Sequence, residues 1–431
     1  MKKLFSVKLN ALILMPALVA GIIFIFCGFA KKLPSDITVN GIAVGGKTQA
    51  QAVALVRESI ETELKTKTLT IVGKKKNYVF TYPEIGYKDD LQKLIKTVKK
   101  HGEYTAQVTY YLNGINDIAS AICEDESSPA VEPYAIFNNY GTPFTYVGGS
   151  DGICADKAKL LNDIKASLEG GFEKVIVKTS TVKRKTDMKS VLEDTKKLSS
   201  YITYFDGENE SRSHNIRLAA DKINGTILQS GESFSFNATV GERTEARGFK
   251  TAKIIEKGYF VEGVGGGVCQ VSTTLFNAAI SGGLRINEYH PHSLSVSYVP
   301  PSCDAMVSGT YFDLKFENVT GYTVYIRART GKNYVAFDLY GRGDGAKYSL
   351  SSTVTGSIPA PEETTDDETQ VKAGRDGILS EGYLTVTRNG ITKTTLFRKD
   401  KYSPVKRVVL NSELQENATN DETHDGEEAT A

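Results

Sequence analysis

The sequence predicts an α+β multidomain protein with a large share of β-sheet. Glycine is plentiful, with 39 residues in a chain of 431, and short runs that alternate apolar and polar residues, as strands do, recur along the chain. A helical stripe followed by a short apolar run appears twice, which is the order of a small α+β module. A chain of this length accommodates two to four domains at roughly 100–200 residues each. We therefore expect an N-terminal transmembrane helix, two small α+β modules, a β-rich central domain with a cysteine-bearing helix, and a small all-β C-terminal module.

Residues 1–32 predict an N-terminal membrane anchor. Three lysines precede an apolar run from Ala11 to Ala30, and about 20 apolar residues are enough to span a bilayer as a helix. Because a basic leader keeps the N-terminus inside, we expect a single-pass protein of the cell membrane whose body lies outside and faces the cell wall. A cleaved signal peptide is the alternative, since Gly28 and Ala30 provide a small-residue cleavage site.

Residues 35–110 and 111–190 predict two modules with a similar order of elements. In the first, Thr48 and Gln51 form a capping box ahead of an apolar helical stripe. In both, the tripeptide Val-Gly-Gly precedes the helix and an apolar strand follows it. This order and the segment VNGIAVGGKTQAQAVALV resemble the peptidoglycan-binding domain found in tandem upstream of VanW domains. The resemblance implies that the modules bind peptidoglycan or another wall glycan.

The central residues, 200–345, predict mostly strands around one helix. The segment GVGGGVCQVSTTLF places Cys269 in the first turn of that helix, directly after three glycines. Glycine allows the backbone to turn tightly and to approach another segment closely. A thiol at a helix N-terminus feels the positive end of the helix dipole, which favours the thiolate. Cys269 is therefore either a nucleophile or a small residue packed under the turn, and the sequence leaves both open.

Downstream of this helix, two histidines and an acid offer partners for the thiol. The segment HPHSLSVSY contains His290 and His292, and Asp304 follows a Pro-Pro-Ser-Cys turn. Period-two alternation places both histidines on an apolar face that should point inward. The same alternation turns Asp313 outward in the next strand, so Asp304 is the better-placed acid. A turn-capping role for Asp304 is the alternative.

Transglutaminase-like thiol enzymes have a cysteine, a histidine and an acid in this order along the chain. The sequence resembles these enzymes only in the order of the three residues. In such a set the histidine accepts the thiol proton and the acid orients the imidazole. We predict a catalytic set of Cys269, His292 with His290 next in preference, and Asp304, with Gln270 as an oxyanion donor. A zinc site at the same cysteine, histidines and aspartate stays open as an alternative.

The central domain is identified as a member of the VanW family by five motifs in the family's order. They are SHNIRLAADKING, SGESFSFNATVGERTEARGFKTAKII, GVGGGVCQVSTTLFNAA, HPHSLSVSY and DAMVSGTYFDLKFEN. The resemblance implies a wall-associated protein linked to glycopeptide resistance or wall remodelling. Whether it is an enzyme stays open; the alternative is a thiol hydrolase or transpeptidase that acts on peptide amides of peptidoglycan. Cys303 stands where the family usually has glycine, so a Cys269–Cys303 disulfide that blocks the thiol is a further alternative.

The end of the chain predicts three short parts. Residues 346–368 are rich in Ser, Thr, Pro and acid, as a linker is. Residues 369–411 predict a small β module that resembles the G-five domain, which implies wall adhesion and binding of N-acetylglucosamine. Residues 412–431 form an acidic tail that predicts disorder.

Composition narrows the partners and the cofactors. The net charge of +1 gives no reason to expect a nucleic-acid partner. No Walker-type loop or dinucleotide fingerprint is present, so we expect no cofactor. Four cysteines beyond the anchor are too few for a disulfide scaffold, although a Cys123–Cys154 bridge stays open.

Overall fold

The computed structural model describes residues 31–256, 259–309 and 311–411, which divide into two compact units. Within these residues the first unit comprises 31–130 and 151–183, and the second comprises 131–150 and 184–411. The predicted modules 35–110 and 111–190 therefore both contribute to the first unit, while part of the second module lies in the second unit. Their resemblance to peptidoglycan-binding domains stays a prediction.

The first unit places helices against several short sheets. Its described helices are Gln49–Leu64, Leu91–Thr97, Ile115–Glu126 and Lys157–Glu169. Its described strands are Ile37–Val39, Ile42–Ala43, Leu69–Val72, Asn77–Phe80, Ile85–Asp89, Gly102–Tyr104, Val108–Leu112, Gly152–Ala155, Val175–Ile176 and Thr179–Val182. The capping box predicted at Thr48 and Gln51 is confirmed, because each backbone N–H donates to the other residue's side chain. Two pairings in this unit are parallel: Ile37–Val39 with Gly102–Tyr104, and Leu69–Val72 with Val175–Ile176.

The second unit contains the central domain and the C-terminal strands. Its described α-helices are Met188–Glu193, Glu210–Ile223, Phe236–Val240 and Val268–Ser281. Its described strands are Tyr134–Phe137, Phe144–Val147, Lys197–Tyr204, Thr226–Leu228, Ser233–Ser235, Thr251–Glu256, Tyr259–Val264, Arg285–Glu288, Lys315–Glu317, Val324–Thr330, Tyr334–Gly341, Lys347–Ile358, Glu362–Thr365, Gly377–Arg388, Ile391–Tyr402 and Arg407–Leu410. Short 3₁₀ turns lie at Glu245–Arg247 and Glu368–Gln370.

The helix Val268–Ser281, hereafter the cysteine helix, runs through the centre of the second unit. It packs against an antiparallel sheet in the order Lys197–Tyr204, Tyr334–Gly341, Val324–Thr330 and Thr226–Leu228. Nearly every residue of the helix is buried, including polar ones. A helix that is buried all round belongs to the core, and its polar side chains must therefore find partners inside the protein.

The C-terminal strands continue the same unit. Gly377–Arg388 pairs with Lys347–Ile358 on one side and with Ile391–Tyr402 on the other. We call Gly377–Arg388 and Ile391–Tyr402 the C-terminal hairpin. Residues 346–368 were predicted to be a linker, but they carry two strands, Lys347–Ile358 and Glu362–Thr365. In the first of these strands, exposed serine and threonine side chains alternate with half-buried ones, as they do in a strand that is paired with a neighbour. The likeness of residues 369–411 to the G-five domain stays a prediction.

The prediction of a transmembrane helix, and with it of a single-pass membrane location, is corrected by the structure. No helix within the described residues is long and apolar enough to cross a membrane. Gln49–Leu64 has 16 residues, a length of about 24 Å against a hydrocarbon core of about 30 Å, and it carries charged side chains. The apolar run Ala11–Ala30 on which the prediction rested lies outside the described residues, as does the acidic tail 412–431.

The cysteines of the described residues are free thiols. Cys123, Cys154, Cys269 and Cys303 form no disulfide, so neither the Cys123–Cys154 bridge nor the Cys269–Cys303 bridge is present. Cys303 is buried, and its carbonyl accepts from Asn277 Nδ2, two turns along the cysteine helix from Cys269. The backbone of Cys303 therefore lies beside a later turn of that helix than Cys269.

Candidate active site

The site begins at the glycine turn, Gly265–Gly267, which leads into the cysteine helix. Gly267 occupies the N-cap position with a φ of 103°, a conformation that side chains disfavour. A Cβ on Gly266 would stand 2.6 Å from the carbonyl oxygen of Lys253, so this backbone approaches a strand too closely for any side chain. The turn places Cys269 in the first helical turn, where the residue is half-buried.

Replacing Gly267 with alanine is expected to destabilise the second unit by about 2–5 kcal/mol. Strain at a positive φ contributes about 1–3 kcal/mol, and the new Cβ would lie 2.9 Å from both Arg212 Nη1 and Ile216 Cγ1, which adds an overpacking cost. Urea unfolding measures the loss. Gly321→Ala is the matched control, because Gly321 has a φ of 84° but open space around its Cβ position. If the two variants lose the same free energy of unfolding, the contacts of the new Cβ with Arg212 and Ile216 do not add to the cost.

The imidazole of His292 is held by Asp304. His292 is 4% exposed, and its Nδ1 lies 2.6 Å from Asp304 Oδ2, which also accepts from the His292 backbone N–H at 2.7 Å. Burial lowers the pKa of His292, but the bonds to Asp304 and to Cys269 outweigh burial and raise the pKa to about 9. The imidazole is therefore positively charged at neutral pH and stands between the carboxylate and the thiol.

Asp304 is fully buried and has a partner on each oxygen. Oδ1 accepts from Tyr402 Oη at 2.5 Å, and the backbone carbonyl accepts from Arg398 Nη1 at 2.7 Å. Burial raises the pKa of Asp304, but the hydrogen bond and charge of His292, with Tyr402 and Arg398, hold it below its usual value. The acid is consequently ionised and fixed in one orientation.

Polar side chains of the cysteine helix tie down the segment that carries this acid. Ser272 Oγ donates to the carbonyl of Ala305 at 2.6 Å, and Thr273 Oγ1 accepts from the Ala305 N–H at 3.0 Å. Asn277 Nδ2 donates to the carbonyl of Cys303 at 2.8 Å. Bonds on both sides of Asp304 therefore fix its distance from the helix that bears the thiol.

The environment of Cys269 favours the thiolate. Burial raises the pKa of the thiol. A hydrogen bond from His292 and its positive charge, a backbone bond at Val307 and the nearby charge of Arg243 lower the pKa by more than burial raises it. The net direction is below the ordinary cysteine value. In its thiol form Sγ donates to the Val307 carbonyl at 3.3 Å.

The structure brings together Cys269, His292 and Asp304, but it places the other two predicted residues elsewhere. His290 Nε2 lies 3.1 Å from Glu288 Oε1, and its ring packs on Phe312. The two histidines were predicted to share a strand face. They do not, because His290 and His292 lie in an irregular segment after the strand Arg285–Glu288 ends.

Gln270 is buried with its side chain already in use. Nε2 donates to Thr203 Oγ1 and to the Tyr204 carbonyl, while Oε1 accepts from Arg212 Nη2 at 2.8 Å. Its backbone N–H bonds the Gly267 carbonyl at 3.0 Å. Gln270 therefore orients Arg212 and has no donor left for an oxyanion.

The zinc alternative finds no support in the geometry. Within the part of the chain that the structure describes, no group of three or more His, Cys, Asp or Glu side chains is arranged to hold a metal. His290 instead contacts Glu288.

Sequence reasoning missed the residues that support the acid from the C-terminal hairpin. Arg398 and Tyr402 lie 94 and 98 positions after Asp304 in the chain, and both are buried. Arg398 also forms a buried bidentate pair with Asp400, at 2.5 and 2.9 Å. Alternate positions 398, 400 and 402 share one strand face. That spacing was the available signal, although it does not tell which face is buried.

The fold and the site define a β-rich domain built around one buried helix, with a thiol, an imidazole and a carboxylate in one interacting set. Residues 211–340 match the family described as VanW like protein. The chain therefore contains a VanW-like domain, which confirms that part of the sequence prediction.

Two curated relatives are similar to the chain. The uncharacterized protein YoaR of Bacillus subtilis (strain 168) is 47% identical over 146 residues, which cover 34% of this chain and 48% of the relative. The vancomycin B-type resistance protein VanW of Enterococcus faecalis (strain ATCC 700802 / V583) is 31% identical over 122 residues, which cover 27% of this chain and 44% of the relative. The chain thus spans about half the length of the curated relatives it matches. No solved structure matches it significantly.

Proposed function

We propose that the VanW-like domain is a cysteine-dependent acyl-transfer enzyme that hydrolyses or exchanges amide bonds in the peptides of peptidoglycan. The observation that carries the proposal is the set formed by Cys269, His292 and Asp304 around a half-buried cysteine. A thiolate beside an imidazolium, with a carboxylate that fixes the imidazole, is the arrangement required for nucleophilic attack on an acyl group.

The chemistry needs two steps. The Cys269 thiolate attacks the amide carbon, the C–N bond breaks, and the His292 imidazolium gives its proton to the leaving amine. This leaves a thioester and a neutral imidazole. His292 then accepts a proton from water or from an incoming amine, which attacks the thioester and returns the electron pair to sulfur. Water gives hydrolysis, and an amine gives transpeptidation.

The choice of wall peptides as the substrate class rests on similarity. One curated relative is named a vancomycin resistance protein, and the sequence motifs resemble a family linked to glycopeptide resistance and wall remodelling. The thiol geometry alone is compatible with any amide that fits the site.

Incubation of the reduced protein with purified peptidoglycan tests the enzymatic proposal. Mass spectrometry of the digested wall should show cleaved or exchanged peptides with the wild type and none with Cys269→Ala. Cys154→Ala is the matched control, because Cys154 is an exposed free thiol in the first unit, and this variant should keep full activity. An inactive wild type, or product formed by Cys269→Ala, would refute the enzymatic proposal.

Association with the wall is tested separately. The Cys269→Ala variant should co-sediment with purified sacculi more than an unrelated control protein of similar charge does, since it keeps the substrate site without turnover. Failure to co-sediment would remove peptidoglycan as the substrate class and leave the thiol chemistry itself untouched.

A further inference from the structure

A cavity of about 500 Å³ lies beside the site. Its size falls in the range of roughly 300–1,000 Å³ that is typical of small-molecule pockets. The charged residues of its lining are three cations and three acids: Arg243, Arg247, Lys315, Glu242, Glu288 and Asp313.

Two lining residues connect this cavity to the thiol. Arg243 packs on the glycine turn, since a Cβ on Gly265 would lie 2.8 Å from the Cβ of Arg243. Gly309, on another part of the lining, follows Val307 by two residues, and the Val307 carbonyl contacts Cys269 Sγ at 3.3 Å. Arg243 also lies close enough to Cys269 for its charge to act on the thiol, so a ligand bound by Arg243 would lie near the nucleophile.

Two of the three acids have partners of their own in the fold. Glu288 pairs with Lys315 at 2.8 Å and with His290 at 3.1 Å. Asp313 accepts from Ser235 Oγ at 2.5 Å and from the Asn237 backbone N–H at 2.8 Å. The cation Lys315 is thereby neutralised as well.

Neither arginine forms an ion pair among the described residues, although the charges of Cys269 and Asp313 partly oppose the lowering of the Arg243 pKa by burial. Arg243 Nη2 donates to Asn237 Oδ1 at 2.6 Å, and Arg247 Nη2 donates to the Val240 carbonyl at 3.1 Å. Glu242 also lines the cavity, but within the described ranges it forms no ion pair with either guanidinium. Each guanidinium has five N–H donors in a planar fork that matches a carboxylate.

We propose that Arg243 and Arg247 bind the terminal carboxylate of the substrate in this cavity. This inference rests on the proposed function and narrows its substrate to a peptide in which a free C-terminal carboxylate lies close to the amide that Cys269 attacks. Bidentate recognition of that carboxylate would also set the position of the amide carbon relative to the sulfur.

Alkylation of Cys269 by two reagents tests the proposal without a known substrate. Iodoacetate and iodoacetamide present the same electrophilic carbon, but only iodoacetate carries a carboxylate. Both reagents react with the thiolate, so the ratio of the iodoacetate rate to the iodoacetamide rate does not depend on the fraction of thiolate. The same ratio at Cys154, an exposed thiol of the same protein, is the reference. We expect the ratio at Cys269 to exceed that at Cys154, and Arg247→Gln to lower it about tenfold.

Arg285→Gln is the matched control for this measurement, because Arg285 is an exposed arginine of the same unit that pairs with Glu317. It should leave the ratio unchanged. A ratio that is unchanged in both Arg243→Gln and Arg247→Gln would overturn the carboxylate site.

A binding measurement separates this proposal from the proposed enzyme. N-acetylalanine and N-acetylalaninamide are added to the Cys269→Ser variant, and saturation-transfer NMR reports which one binds. Binding of the carboxylate form alone, lost on adding Arg247→Gln, supports the site even if no peptide is ever cleaved. Equal signals from both compounds, or none from either, would overturn the site while leaving the thiol chemistry to its own test.

Discussion

Replacement of Asp304 with asparagine is expected to slow Cys269-dependent amide cleavage by about 10³–10⁴-fold. The carboxylate accepts from His292 Nδ1 and stabilises the imidazolium. An asparagine amide would keep the shape but would stabilise the wrong tautomer and remove the negative charge. The pKa of His292, about 9 in the wild type, should fall, and the thiol should lose the cation that stabilises its thiolate.

The pH dependence of Cys269 alkylation gives the direct readout of this change. In the wild type the pKa of the Cys269 thiol is lowered, so iodoacetamide should react at a lower pH than it does with an ordinary cysteine. A thiol with an ordinary pKa reacts mainly above about pH 8, and the Asp304→Asn profile should shift upward toward that range. The Cys269→Ala variant gives the background rate.

Asp338→Asn controls for a general effect of removing a buried carboxylate. Asp338 is 2% exposed and binds Arg329 and Ser200 on the central sheet. This variant should lose stability without any shift in the alkylation profile. If Asp304→Asn also leaves the profile where it is, the thiol does not depend on the acid, and the catalytic role of Asp304 is refuted.

Replacement of Arg398 with methionine is expected to reduce the free energy of unfolding of the second unit by about 3–5 kcal/mol. Arg398 is 5% exposed and binds Asp400 through two nitrogens. Removing only the guanidinium would leave the Asp400 carboxylate buried without its counter-charge. The carbonyl of Asp304 would also lose its donor, so the acid should be held less firmly.

Denaturant unfolding and alkylation of Cys269 measure the two consequences. Lys399→Met is the matched control from the neighbouring position, because its ammonium is largely exposed and pairs with Glu381 at the surface; little change is expected. The double variant Arg398→Met/Asp400→Leu should recover part of the loss, since it removes both charges. Equal stabilities of Arg398→Met and Lys399→Met would show that the buried pair does not stabilise the unit.

Local patterns in the sequence predicted the helix and the position of the thiol. The glycine triplet and the apolar spacing after it act within a few residues, so Cys269 lies at the helix start as expected. Strand alternation was less reliable for Asp313. The strand there begins only at Lys315, and Asp313 turns inward to accept from Ser235 and Asn237.

Long-range contacts explain what the sequence could not predict. Tyr402 and Arg398 reach Asp304 only because the last hairpin folds back on the central domain. Nothing in the segment TTLFRKDKY distinguishes a buried polar face from a solvated one, since charged residues occupy both. The partners of these residues, nearly 100 positions earlier, decide which face is buried.

The dependence of Asp304 on Tyr402 and Arg398 has a consequence for inheritance. The recognised segment ends at residue 340, whereas the hydroxyl and guanidinium that brace its acid come from the last strands of the chain. Recombination that exchanged only residues 211–340 between genes would transfer Cys269, His292 and Asp304 without the two residues that hold the acid in place, Arg398 and Tyr402. We therefore expect lineages to pass on these two stretches of the chain together.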